Sequence, residues 1–405
     1  MAALGPAGCG PRTAPVSQSG PLPANPDRLI RVRLAGDADR AEISIAGAYR
    51  LEGPDGQRLL DSAAPLDRTI LLAADEGVWL GERLIEAPRV HIVPAADSTL
   101  SLSIPDAQGR FVRRRYRGVL WIVRSGRALC LINALDIESY VAGVLQGELY
   151  AWFDAEVYRA LAVAARTYAL FAKATAGTGR DWDLNADASS QVYLGVEGET
   201  PKVLEVVRQT TGVVLTWDTG GGRRIFCPFY HSTCGGATQD VAHFRGENSL
   251  VVADPLRGGV TCDYCCRSPD YRWDQPVTVS KQEITRRLQG RYARFADIGP
   301  ITRVQILKTT PDGRATQIYC SDARRRGVSL RAEDFRLSIG ASRLRSTAFK
   351  VRDLGDAVEF YDGRGNGHGV GLCQWGAEGL ARQGWSASQI LRFYYPGCHF
   401  DKAYD

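Results

Sequence analysis

Two groups of residues in this 405-residue chain have the types and spacing that chemistry needs. The first is Glu148, with Leu149, Trp152 and Phe153 beside it. Apolar neighbours strip water from a carboxyl group, raise its pKa and suit it to protonate a leaving oxygen near neutral pH. A lone Glu after a helix is ordinarily a solvated surface group, so its wider setting must decide. The second group is His231-x-x-Cys234, followed after a loop by Cys262-x-x-Cys265 with Cys266 adjacent. Two ligand pairs at this spacing can close a tetrahedral Cys3His zinc site, a donor set typical of structural zinc. Disulfides among the ten cysteines are the competing reading for an exported protein. The tight pairs and the His beside them favour zinc. No H-E-x-x-H is present and three thiolates would quench Lewis acidity, so catalytic zinc is not expected.

The elements that must position these residues are legible as patterns. From Leu29 to about Val123, alternating segments such as Ile30 to Leu34 and Val90 to Pro94, split by Gly, Asp and Pro, predict short antiparallel strands. Ala128 to Asn133 predicts another strand, Ile137 to Leu145 a short helix, and Glu148 falls where that helix should end. Asp154 is placed to cap a helix over Val157 to Ala174, with Glu156 in its first turn. Val157, Leu161, Ala164 and Tyr168 share one face of it. Further helices are expected at 202–210, 280–288, 374–383 and 385–395. Forty-three Gly, 19 Pro and these short apolar runs favour a strand-rich α+β protein in two parts, with a few helices around a substrate cleft.

Composition excludes several classes. The net charge of +5 is mild and the Arg residues are scattered, so nucleic-acid binding is not indicated. No window of 18 apolar residues exists, so no transmembrane helix is expected. Residues 1–27 read as a disordered leader without the basic and apolar regions of a secretory signal. Ala7-Gly8-Cys9 is similar to the end of a lipoprotein cleavage site, with Pro6 where Leu is usual, and a chance match is an equal reading.

Four segments occur in one order. Leu135-Asp136-Ile137-Glu138-Ser139-Tyr140-Val141-Ala142-Gly143-Val144 leads to Glu148-Leu149, and Ala160 to Leu170 reads ALAVAARTYAL. Ser190-Gln191-Val192-Tyr193-Leu194-Gly195 is followed by Tyr230-His231-Ser232-Thr233-Cys234-Gly235-Gly236-Ala237-Thr238. Last come Gly363 to Ala377, containing Gly367-His368-Gly369 and Cys373-Gln374-Trp375-Gly376, and Ile390 to Gly397. Together they resemble the SpoIID/LytB domain family. The resemblance divides the chain into a β-rich region at 28–127, a SpoIID-like catalytic core with the zinc loop at 128–270, an α+β insertion at 271–359 without evident chemistry, and the rest of the core at 360–405.

The resemblance implies an exported lytic transglycosylase of the cell envelope that cleaves the MurNAc to GlcNAc bond of peptidoglycan without water, leaving a 1,6-anhydro-MurNAc end. A hydrolytic glycosidase needs a second carboxylate to activate water or attack the sugar. Here the tethered C6 hydroxyl attacks, so one group can protonate the leaving oxygen and then take the C6 proton. Glu148 matches the family's catalytic Glu. Arg166, Gln191, Tyr193, Ser232, His368 and Gln374 are the expected substrate-binding residues. For Arg166 a structural ion pair is an equal reading, since an unpaired buried guanidinium is costly. Gln191 and Tyr193 alternate with Val192, so both can face one groove while Val192 packs, with strand-edge packing as the alternative. The Gly-rich run at His368 matches neither G-x-G-x-x-G nor a P-loop. Some family members bear zinc, and Cys373 stands where the family usually has Ser. A non-catalytic branch that enhances a peptidoglycan amidase is the alternative function, with the amidase as partner.

Overall fold

The computed structural model describes residues 27–405 except 97, 107–108, 177–178, 246–248 and 250. The lipoprotein-like Ala7-Gly8-Cys9 and nearly all of the leader lie outside the described residues. Strand outweighs helix, about 37% to 26%, and the protein is α+β. No described helix is long and apolar enough to cross a membrane.

Alternation builds the N-terminal part. In the strand Leu29–Ala38, Ile30 and Val32 are fully buried, and in Arg40–Ile45 the buried set is Ala41, Ile43 and Ile45. Period-two burial of this kind puts one face of each strand in the core. A seven-stranded sheet and a six-stranded sheet result, and both contribute to one apolar core. The strand Ala128–Asp136 pairs with Leu29–Ala38 on one side and with Val119–Ser125 on the other. The boundary expected at 127/128 therefore falls between two hydrogen-bonded strands of one sheet, and the β-rich region and the helices behind it share a core.

Asp136 ends that strand and begins the next element: its carboxylate accepts from the Glu138 N–H at 2.8 Å and caps α1 (Ile137–Glu148). Glu148 is the last residue of α1. After a tight turn, Asp154 caps α2 (Ala155–Thr175) in the same way, as its sequence position predicts. Five alanines of α2 (Ala160, Ala162, Ala164, Ala165 and Ala169) are completely buried, which lets neighbouring segments approach closely. α3 (Pro201–Gln209), the short α4 (Val241–Arg245) and α5 (Lys281–Arg291) follow. Then come α6 (Ala332–Ile339), α7 (Gln374–Ala381) and α8 (Ala387–Tyr394). The span from Trp273 to Phe360 has an apolar core of its own, built around Ile284, Phe335 and Phe360.

Candidate active site and thiol cluster

Three separated segments meet at Glu148, and glycine spacing is what lets them. Gly143 and Gly147 lie one turn apart on α1. A Cβ on Gly143 would sit 2.4 Å from the Tyr193 ring, and one on Gly147 would sit 2.5 Å from the Val192 carbonyl oxygen. Bare backbone on this face therefore admits the segment 191–195 against the helix. That contact delivers the Val192 N–H to Glu148 Oε1 at 2.7 Å. From the C-terminal segment, Gln374 Nε2 donates to Glu148 Oε2 at 3.4 Å. The Tyr230 hydroxyl, on a short strand paired with Leu372–Cys373, completes the set of donors.

Tyr230 is itself oriented. Gln191 Nε2 donates to the Tyr230 hydroxyl at 2.9 Å, and the Tyr140 hydroxyl donates to Gln191 Oε1 at 2.9 Å. Because the Tyr230 oxygen already accepts from an amide, its own proton is free for Glu148. Burial raises the Glu148 pKa, and the bonds from Val192, Gln374 and Tyr230 pull it down less than burial lifts it. The result is a carboxyl group that holds its proton to higher pH than a solvated Glu, yet has donors ready for the carboxylate once the proton leaves.

Behind the site four thiols converge. The Sγ atoms of Cys234, Cys262, Cys265 and Cys373 all lie within 4.8 Å of one another and all four residues are buried. Cys234 and Cys265 are 3.4 Å apart. Thiolates placed tetrahedrally at about 2.3 Å from zinc lie roughly 3.8 Å from each other, so this donor set fits such an ion. The Cys234 thiol beside them pushes Cys262 and Cys265 toward the thiolate, while Cys262 in turn raises Cys234 and burial raises Cys373. Cys373 caps α7, its sulfur accepting from the Gly376 N–H at 3.3 Å, so the cluster is bonded directly to the helix that carries Gln374.

The model of a stage II sporulation protein domain, SpoIID, matches residues 125–217, which contain α1, Glu148 and α2. The stage II sporulation protein D of Bacillus subtilis is 27% identical over 288 residues, covering 67% of this chain and 76% of that protein. Residues 125–217 thus match the SpoIID domain, and similarity to stage II sporulation protein D extends over two thirds of this chain. An uncharacterized protein of Brachyspira hyodysenteriae is 29% identical over 283 residues, 70% of this chain and 71% of its own. The amidase enhancer of B. subtilis is 41% identical, but over 71 residues that make up 10% of its length. A domain of unknown function matches residues 264–371, largely the part of this chain that has the second core.

Of the residues expected to line a SpoIID-type cleft, Glu148 and Gln374 are bonded to each other, and Ser232 lies next to them, its carbonyl accepting from the Trp375 N–H at 3.1 Å. Arg166 does not reach the cleft. It is completely buried, its Nε and Nη2 bind both oxygens of Glu138 at 2.9 and 2.6 Å, and Nη1 donates to the Val213 carbonyl. Gln191 and Tyr193 face inward, the reverse of the expected alternation, because the α1 glycines draw this segment onto the helix; Val192 is the half-exposed one. Tyr193 bonds Asn133 at 2.8 Å in the core, whereas Gln191 acts on Glu148 through Tyr230.

His231 is not part of the thiol cluster. Its Nδ1 bonds the Val370 carbonyl at 3.1 Å, and the fourth donor is Cys373, which is 139 residues from Cys234. Cys266 is exposed and points elsewhere. His368 stacks on Phe244 at 4.7 Å and accepts from the Val370 N–H, and burial pushes its pKa down to about 3, so it stays neutral. Tyr230, Tyr140 and Cys373 are the members that spacing missed. The insertion also contributes: buried Arg314 donates to the Cys234 carbonyl at 2.7 Å and braces the thiol loop.

Proposed function

We propose that this protein is an exported peptidoglycan lytic transglycosylase in which Glu148 protonates the glycosidic oxygen and then accepts the C6 hydroxyl proton. The SpoIID family is linked to peptidoglycan degradation. The observation that carries the finer reading is the setting of Glu148. Its carboxyl is half-buried, its pKa is raised, and its partners are a backbone amide, a carboxamide and a phenol rather than a second carboxylate. One acid that must give up and regain a proton at the same place needs this balance, and an intramolecular nucleophile removes the need for a base that activates water.

Purified protein is expected to release 1,6-anhydro-muropeptides or anhydro-disaccharides from glycan strands, and Glu148→Gln should abolish that product while the fold persists. Reducing MurNAc ends in place of anhydro ends would identify a hydrolase and overturn the reading. The local similarity to an amidase enhancer favours a second reading, in which the protein binds glycan and stimulates an amidase. Glycan binding that survives Glu148→Gln, with no anhydro product from the unaltered protein, would select it.

Cys234, Cys262, Cys265 and Cys373 are the residues that would hold a structural zinc ion. Such an ion supplies folding free energy rather than Lewis acidity, since four thiolates saturate it.

A further inference from the structure

The turn that follows Glu148 presents aromatic rings to solvent. Tyr150 and Trp152 are 52% and 53% exposed, whereas Phe153 between them and the body is buried. These rings do not hang free. Tyr150 and Trp152 stack at 5.7 Å, Trp152 meets Phe153 edge-on at 4.6 Å, and Trp375 packs edge-on against Tyr150, Trp152 and Phe153 at 5.4 to 5.6 Å.

The backbone beneath is fixed as well. The Tyr158 hydroxyl donates to the Tyr150 carbonyl at 3.2 Å, and Lys202 donates to that of Phe153. Glu378 accepts from the Asp154 N–H at 2.7 Å and pairs with Arg382, whose guanidinium lies 5.4 Å from the Trp152 ring centre. Large apolar rings held rigid at a surface have already lost the side-chain freedom that binding would otherwise cost.

Position identifies the occupant. Tyr150 is two residues after Glu148, and Trp375 directly follows Gln374, which bonds the same carboxyl group. Two of the segments that meet at the acid thus also build the aromatic cluster, which puts the rings beside the proposed cleavage site. A polymer cut within its length must have sugar rings held beside the broken bond. The flat C–H face of a pyranose matches an indole or phenol face, and its polar rim matches the flanking charged groups.

We infer that Tyr150, Trp152 and Trp375 form a saccharide-stacking subsite for a ring of the glycan strand next to the bond that Glu148 would break. This inference rests on the glycan-cleaving reading of Glu148. Binding is measured by calorimetry in the Glu148→Gln protein, with a β-1,4-linked N-acetylglucosamine hexamer and with peptide-free glycan strands as probes. Trp152→Ala should weaken binding roughly tenfold, and Trp152→Tyr should restore most of it. In the otherwise unaltered protein Trp152→Ala should raise KM with little change in kcat. Glycan should also shield the exposed tryptophan from acrylamide quenching, a measurement that needs no substitution.

Unchanged affinity and KM in Trp152→Ala, with anhydro product still formed, would overturn the subsite and leave the reaction standing. Loss of glycan binding in Trp152→Ala from a protein that yields no anhydro product would keep the subsite and overturn the reaction. Cosedimentation with anionic vesicles that depends on Trp152, with no glycan binding, would assign the rings to a membrane surface instead.

Discussion

Replacing Gly147 by alanine tests whether close packing on α1 is what holds the acid. The added Cβ would lie 2.5 Å from the Val192 carbonyl oxygen, and the segment must retreat by about 0.5 Å merely to reach 3.0 Å, a distance still tighter than ordinary contacts. The same motion stretches the 2.7 Å bond from the Val192 N–H to Glu148 to about 3.2 Å or more, the weak limit for such bonds. That N–H favours the carboxylate formed when Glu148 gives up its proton. A hydrogen bond to a charged group contributes about 1.5–3 kcal/mol, so kcat should fall roughly 10- to 100-fold. Losing a donor that lowers the Glu148 pKa should also move the basic limb of the rate profile to higher pH.

Stability should change little. Alanine is better than glycine in a helix by about 1 kcal/mol, and overpacking costs about 1–3 kcal/mol, leaving a net loss of about 0–2 kcal/mol. Gly290→Ala on α5 is the control, because its Cβ meets nothing within 4 Å. It should gain stability and keep full activity. The assay pairs urea unfolding with quantitation of anhydro products across pH. A Gly147→Ala protein that is as active as the unaltered one, with the same pH profile, would refute the claim that Val192 holds Glu148.

Three further outcomes are expected. Protein purified without added metal should hold about one zinc per chain; Cys373→Ala should lose the ion and His231→Ala should keep it, and the opposite pattern in mass-spectrometric metal content would restore His231 as the fourth ligand. Glu138→Ala leaves Arg166 charged and unpaired in the core, so it should cost about 3–5 kcal/mol in denaturant unfolding, and a loss below about 1 kcal/mol would show that the pair is dispensable. His368 titrates near 3 when folded against 6.5 for an exposed histidine, so the unfolded chain binds the proton first and stability should fall as pH drops from about 6.5 toward 3, by up to about 1.4 kcal/mol per pH unit for this residue. His368→Gln should flatten that slope in urea unfolding at pH 7, 6 and 5, and an unchanged slope would contradict it.

Sequence alone determined the features whose causes are local. Asp154 as a cap, the helical face of Val157, Leu161 and Ala164, Glu148 at the end of α1 and the alternating strands before Val123 are each set within a few residues. The Cys262-x-x-Cys265 pair is local for the same reason. Its completion is not: the fourth sulfur, Cys373, and the acid's partners Val192, Tyr230 and Gln374 come from segments that only chain folding brings together.

Tertiary packing also decided direction. Gln191 and Tyr193 turned inward because glycines on another element left room there, so the alternation was right in period and reversed in sense. Arg166 found a carboxylate in Glu138, which an apolar helix sequence requires without naming it. His231, three residues before Cys234 along the chain, turned its Nδ1 to the Val370 carbonyl and away from the sulfurs, since spacing along the chain says how near two side chains are but not which way each faces.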